Sequence, residues 1–175
     1  MEYLKTLELQ RIDTTTLAWK EAIKTKPIFA RSVHTIIQDV FLFDKMRVMT
    51  QEGLAPLRRN SMLCTGSTKL DPWQQTVSGL LEKYTVTDFT PDGWAYCEPK
   101  ADNKVECSQI NEYDKFEIVA KWGTEIDEGD LTPSRIFVQY GDKGDYICRN
   151  VADHTDNWIV KKNIFEATYK INAPQ

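Results

Sequence analysis

The amino-acid sequence predicts an α+β fold of two related halves, each rich in antiparallel sheet and carrying short helices. Three observations predict it. Short runs of β-branched and aromatic residues, bounded by Gly, Pro, Asn and Asp, recur along the chain and outnumber helical stripes. A pattern of Asp, Trp, Tyr and Cys returns after 84 to 85 positions. The chain has 175 residues, 41% apolar and 27% charged, an ordinary globular composition with room for one domain or two very small ones. No apolar run approaches the roughly 20 residues that cross a bilayer as a helix, so no membrane partner is expected.

In chain order, Thr14, Thr15 and Thr16 precede Leu17 to Ile23, and Pro27 follows. A threonine cap, good helix formers and a closing proline predict a short helix. Ile28 to Val33 fits a strand. Val33, Ile36, Ile37, Val40 and Phe41 then fall at the spacing of an apolar helix stripe. Arg47–Thr50 and Ser61–Cys64 read as short strands, with a loop from Gln51 to Asn60 between them. Pro91-Asp92-Gly93 is a turn signal, because proline presets φ and glycine accepts positive φ. Pro99 to Asn103 reads as a second turn between two short strands. Phe116–Trp122, Arg135–Tyr140 and Asp145–Arg149 have strand patterns, and Glu125–Asp130 reads as an acidic loop.

Asp71-Pro72-Trp73 and Asp156-Asn157-Trp158 lie 85 positions apart, and at that offset Leu80 meets Phe165, Tyr84 meets Tyr169 and Val86 meets Ile171. Met62-Leu63-Cys64 meets Tyr146-Ile147-Cys148 at 84, a one-residue loop change. Upstream, the strands beginning near Ile28 and Phe116 keep the same order. The expected organisation is a first half over 1–90, a linker or hairpin over 91–112 and a second half over 113–175. A unit of this size makes a marginal core alone, so the twin sheets are expected to share one hydrophobic seam.

The formal charge is −4, with 12 basic and 10 acidic residues in 1–90 against 10 and 16 in 91–175. That is no basic footprint for duplex nucleic acid. It is also small for a mimic of a duplex carrying one charge per roughly 1.7 Å. Cys64, Cys97, Cys107 and Cys148 form no CxxC pair, and His34 and His154 lie far apart, so no metal and no cofactor are expected. The first residues lack the basic and apolar regions of a signal peptide, and the expected location is cytoplasmic.

The second half, over about residues 115–172, resembles a family of small bacteriophage and bacterial proteins known by a PGDYG motif. Gly144-Asp145-Tyr146-Ile147 carries the resemblance, followed by Trp158 and the run Lys161 to Tyr169. Family members show Gly-Asp-Tyr, a loop, an aromatic, and a Lys-Pro-Asp-Ile-Phe-Glu-x-Thr-Tyr ending. Here Lys143 stands for the leading proline and Lys162-Asn163 for Pro-Asp. The first half reads as a degenerate copy, with Asn60-Ser61-Met62 at the Gly-Asp-Tyr position. The resemblance implies a phage setting, hence the host cytoplasm, and no particular reaction.

Sequence motifs for hydrolases, metalloenzymes, P-loops and deaminases are absent. Cys148 and His154 are a thiol and a base six residues apart, set against a strand cysteine facing the core. Glu125, Asp127, Glu128 and Asp130 lack calcium-loop spacing. Trp73 and Trp158, with Asp71 and Asp156, read either as aromatic platforms for a base or as core plugs with capping aspartates. Arg58, Arg59, Arg149 and Lys161 are candidates for an anion site, because guanidinium forks and ammonium charges suit phosphate. These eight are the expected ligand-binding residues.

The expected role is a non-enzymatic phage accessory protein that binds a host protein or a small anionic, nucleotide-like ligand and so modifies host metabolism or defence, as an anti-defence inhibitor would. The alternatives are a nucleotide-binding or nucleotide-processing enzyme and a binder of single-stranded nucleic acid. A homo-oligomer is compatible with the sequence.

Overall fold

Strand periodicity decides which residues build the core: along Tyr146–Asn150, alternate side chains enter different hydrophobic clusters, Tyr146 and Cys148 in one and Ile147 in another. The computed structural model describes residues 8–36, 47–50, 53–66, 72–121, 124–126 and 136–172. Two five-stranded antiparallel sheets dominate them. The first joins β2 (Lys20–Lys24), β10 (Lys104–Gln109), β14 (Tyr146–Asn150), β15 (Asn157–Val160) and β16 (Tyr169–Ile171) in the order β15-β14-β10-β2-β16. The second joins β3 (Ile28–Ser32), β6 (Ser61–Thr65), β7 (Trp73–Thr76), β8 (Tyr84–Phe89) and β9 (Ala95–Pro99) in the order β7-β6-β3-β9-β8. Helix α1 covers Val33–Ile36 after β3. Helix α2 (Val77–Lys83) links β7 to β8, and α3 (Lys162–Thr168) links β15 to β16.

The two sheets follow the same plan down to register. Cys64 lies opposite Trp73, and Cys148 opposite Trp158. Ala30 pairs with Cys64 as Cys107 pairs with Cys148. Ile28 faces Cys97 as Val105 faces Ala22, and Tyr84 faces Pro99 as Tyr169 faces Lys24. The first sheet takes β2 from the N-terminal part of the chain, whereas every strand of the second lies within residues 28–99. β2 sits between β10 and β16, and β9 sits between β3 and β8. The stretch 91–112, expected as a linker or hairpin, is therefore two strands that enter different sheets.

The expected single hydrophobic seam is not what forms. One cluster gathers Ala22, Val105, Cys107, Tyr146, Cys148, Val160 and Phe165, and a separate one gathers Ile28, Ala30, Cys64, Leu80, Tyr84, Ala95 and Cys97. The reason is the helix on each sheet: Phe165 of α3 closes one core and Leu80 of α2 the other. Tyr146, Phe165 and Tyr169 stack as a column, with centroids 3.8 and 4.8 Å apart.

A third, four-stranded sheet runs β1 (Leu9–Arg11), β11 (Lys115–Ala120), β13 (Ile136–Asp142), β12 (Thr124–Ile126), with β1 parallel to β11. It backs the first sheet: Phe116 and Ile118 share a cluster with Ile147 and Ile159, and buried Gln139 accepts a hydrogen bond from the Ile159 N–H at 2.7 Å. Gly141 lies opposite Phe116, whose ring would come within 2.3 Å of any Cβ there. β4 (Arg47–Thr50) and β5 (Gly53–Pro56) form a hairpin inside what was expected to be a strand and a loop.

Other expectations are corrected. The helix over Leu17–Ile23 is a 3₁₀ turn at Thr14–Thr16 followed by β2. Backbone pairing on both sides of β2 outweighs the helix propensity of Lys-Glu-Ala. The counterpart of the Ile28 strand is β10; the Phe116 strand belongs to the third sheet. The stripe from Val33 is helical through Ile36, and its remainder lies outside the described residues, as does Asp127–Asp130 of the acidic loop.

Candidate functional site

The eight expected residues do not assemble into one groove. Asp71 lies outside the described residues. Trp73 packs on the second core beside Cys64, and the Asp156 carbonyl accepts the Asn150 N–H at 3.0 Å. Arg58 and Arg59 precede β6 in the second sheet, where the Arg58 N–H donates to Gln74 Oε1 at 2.8 Å. Arg149 and Lys161 lie at opposite ends of the β14–β15 hairpin.

Both of those cations are already neutralised by the protein. Arg149 Nε donates to Glu106 at 2.6 Å, and its guanidinium lies 4.1 Å from the Trp19 ring centroid. Lys161 Nζ donates to Asp142 and to Asp145, both at 2.8 Å. Burial alone would depress the Lys161 ammonium, but its bonds to the two carboxylates outweigh that and raise its pKa. A half-buried ammonium held by two carboxylates is not a phosphate receptor.

Asp145 explains the Gly-Asp-Tyr run structurally. Gly144 takes a φ of +93° in the turn before β14. Asp145, buried, accepts from the Asp142 N–H, the Lys162 N–H and Lys161 Nζ. One carboxylate thus holds the β13–β14 turn and supplies α3 with the N-terminal acceptor that Lys161 lacks. The thiol–base idea also fails on geometry. Cys148 is fully buried in the first core, while exposed His154 lies 3.2 Å from Glu106, which the pleat places on the opposite face. Burial raises the thiols, Cys107 to about 11 and Cys64 to about 12.

A different constellation lies where the two sheets meet. A chain of backbone hydrogen bonds joins Lys83 O to Lys100 N–H, Lys100 O to Asn103 N–H, and Asn103 O to Lys24 N–H, at 2.9, 3.0 and 3.1 Å. This gathers three lysines from α2, β2 and the β9–β10 turn. None of the three has a carboxylate within ion-pair distance among the described residues. Lys24 Nζ lies 4.4 Å over Tyr169, capping the aromatic column, and Lys83 Nζ lies 5.4 Å over Trp158. Burial pulls the Lys24 ammonium down to about 8. Asn103 is buried beside the Tyr84 phenol, and its Nδ2 has no hydrogen-bond partner. The junction therefore gathers positive charge and an orphaned donor beside two aromatic rings that Lys24 and Lys83 cover, with no carboxylate in ion-pair distance of the three lysines among the described residues.

Only Trp158 of this group stands among the expected residues. Lys24 carried a signal that a helical reading hides: as a strand, Lys20, Ala22 and Lys24 share the core face. Lys83, Lys100 and Asn103 carried none, because long-range pairing brings them together. Among the described residues, no group of three or more His, Cys, Asp or Glu is placed to hold a metal ion. No helix among them is long and apolar enough to cross a membrane.

No protein-family model, no curated protein and no solved structure matches this chain.

Proposed function

We propose that this chain is a binding protein without catalytic chemistry, made of a duplicated module, whose junction captures a small anionic, nucleotide-like ligand. In the setting implied by the Gly-Asp-Tyr resemblance, it acts as a phage accessory protein in the host cytoplasm, withholding that ligand from host metabolism or defence. The duplication is supported by the shared strand order and register of the two sheets. The single observation that carries the ligand class is that backbone hydrogen bonds bring Lys24, Lys83 and Lys100, none with a carboxylate partner among the described residues, beside the buried Asn103, whose Nδ2 is unpartnered; Lys100 Nζ donates to the Leu81 carbonyl at 2.6 Å. A buried ammonium without a counter-charge is costly, and a bound phosphate removes that cost. Trp158 supplies a face for a base, though Lys83 already lies over it and would have to shift.

Calorimetry with nucleoside monophosphates against the phosphate-free nucleosides tests this. Binding should require the phosphate, quench tryptophan fluorescence, and weaken about tenfold or more in Lys24→Met and in Lys83→Met. Equal behaviour of nucleotides and nucleosides, or no binding at millimolar concentration, rejects it.

A second reading, capture of a host protein, rests on α2. Val77 and Leu81 are each 49% exposed one turn apart, whereas the same positions of α3 hold Lys162 and Glu166. Recovery of a stoichiometric protein from host extract, lost when those two residues are made polar, would favour it.

A further inference from the structure

A second cleft, away from the junction, follows from where β2 ends. β2 pairs with β10 only over Lys104–Cys107, and upstream of Lys20 the chain turns away. β10 nonetheless continues to Gln109, still paired with β14 on its other side. The next residue shows the direction of its peptide groups. Ile110 donates its N–H to Asp145 and accepts from the Gly144 N–H, both toward β14. Alternation then turns the N–H and C=O of Gln109 toward the side that β2 has left. A cleft of about 370 Å³ lies there, lined by Leu17, Ala18, Lys20, Gln109, Ile110 and Glu112 among others. The corresponding place beside β3 is closed by the Thr90–Trp94 turn, where Arg31 donates to the Asp92 carbonyl at 3.0 Å. The opening belongs to one sheet alone.

We propose that this cleft binds a short zwitterionic peptide in extended form, as an added strand segment beside β10. The Gln109 peptide group supplies the donor and acceptor that recognise a peptide bond. Lys20 meets the ligand's carboxylate, and Glu112, whose Oε2 also accepts the Asn111 N–H at 3.2 Å, meets its ammonium, while Leu17 covers an apolar side chain. The volume suits a dipeptide and is at the small end of ordinary ligand sites. This site shares no residue with the junction, and it stands or falls separately from the function proposed above.

The test uses the full chain and the dipeptide L-valyl-L-valine, followed by amide chemical-shift mapping and calorimetry. Saturable shifts should centre on Lys20, Gln109, Ile110 and Glu112. Affinity should fall about tenfold when the dipeptide is N-acetylated and in Glu112→Gln, and about tenfold when it is C-amidated and in Lys20→Met. Both side chains are solvent-exposed, so the variants should keep the wild-type spectrum elsewhere. Absence of saturable shifts at 10 mM dipeptide, on the order of the weakest specific binding, overturns the proposal. So does binding that neither blocked peptide nor either variant changes.

Discussion

Lys24 is where stability and binding conflict most directly. Its folded pKa of about 8 lies below the 10.5 of a free lysine, because burial disfavours the ammonium. Below pH 8 the group is charged both folded and unfolded, and the folded state carries the full desolvation cost. Between pH 8 and 10.5 the folded state releases its proton first, so stability rises. Lys24→Met should therefore stabilise the protein at pH 7, by about 1 to 2 kcal/mol given that the side chain keeps some contact with water. The gain should shrink toward pH 10. Denaturant titrations at both pH values measure it, and a Lys24→Met protein less stable at pH 7 contradicts the account. Gly141 is constrained for a different reason: the Phe116 ring occupies the place of a Cβ. Gly141→Ala should cost about 1 to 3 kcal/mol through overpacking. An unchanged unfolding midpoint would show that the ring can move aside freely.

Among the elements, α3 depends on a residue outside itself. Asp145 accepts the first helical N–H and holds Lys161. Asp145→Ala leaves that ammonium half-buried with only Asp142, and should cost about 3 to 5 kcal/mol. Hydrogen exchange should show protection lost first at the β13–β14 turn and the start of α3. Loss spread evenly over the molecule would mean that the carboxylate is not a local clamp. Helix α2 is capped from within, by Thr76 accepting from the Gly79 N–H at 3.1 Å. Its Val77 and Leu81 contribute little to the core, so replacing them with Lys and Glu should change stability by less than about 0.5 kcal/mol.

Considered whole, two similar sheets dominate the molecule, and the first is completed by β2 from the N-terminal part of the chain. β2 ties the N-terminal end of the chain into the first sheet and backbone hydrogen bonds at the junction join the two sheets, so heat or denaturant should unfold the chain in one transition, without a stable half. Separate transitions by tryptophan fluorescence and far-ultraviolet dichroism would count against this. Ligand affinity at the junction should fall with salt, since its cations are partly exposed, and fall as pH rises past about 8, when free Lys24 loses its charge. A pH-independent affinity between 7 and 9.5 would exclude Lys24 from the site.

Much of this organisation was legible in single residues. The Cys–Trp pairs recur at nearly constant spacing because each pair is one cross-strand contact at the same place in its sheet. Trp19 and Trp94, one just before β2 and the other just before β9, stand 75 positions apart, not 85, so the repeat spacing does not pair them. Lys161 and Arg149 read as anion ligands because a sequence shows cations without their partners. Asp142, Asp145 and Glu106 neutralise them only in the folded chain.

By itself, the sequence determined many of the strand runs (though not β2 or β5), the turns at Pro91-Asp92-Gly93 and Pro99 to Asn103, and the fixed spacing of the paired landmarks. These follow from alternation, φ preferences and burial, which act over a few residues. Tertiary structure alone decided that β2 joins the sheet of the C-terminal strands, that β9 inserts between β3 and β8, that two cores form in place of one, and which lysines lack a carboxylate partner among the described residues. Those outcomes depend on strand pairings closed across 65 to 149 residues, where many partners satisfy the same local pattern and only the complete set of pairings chooses among them.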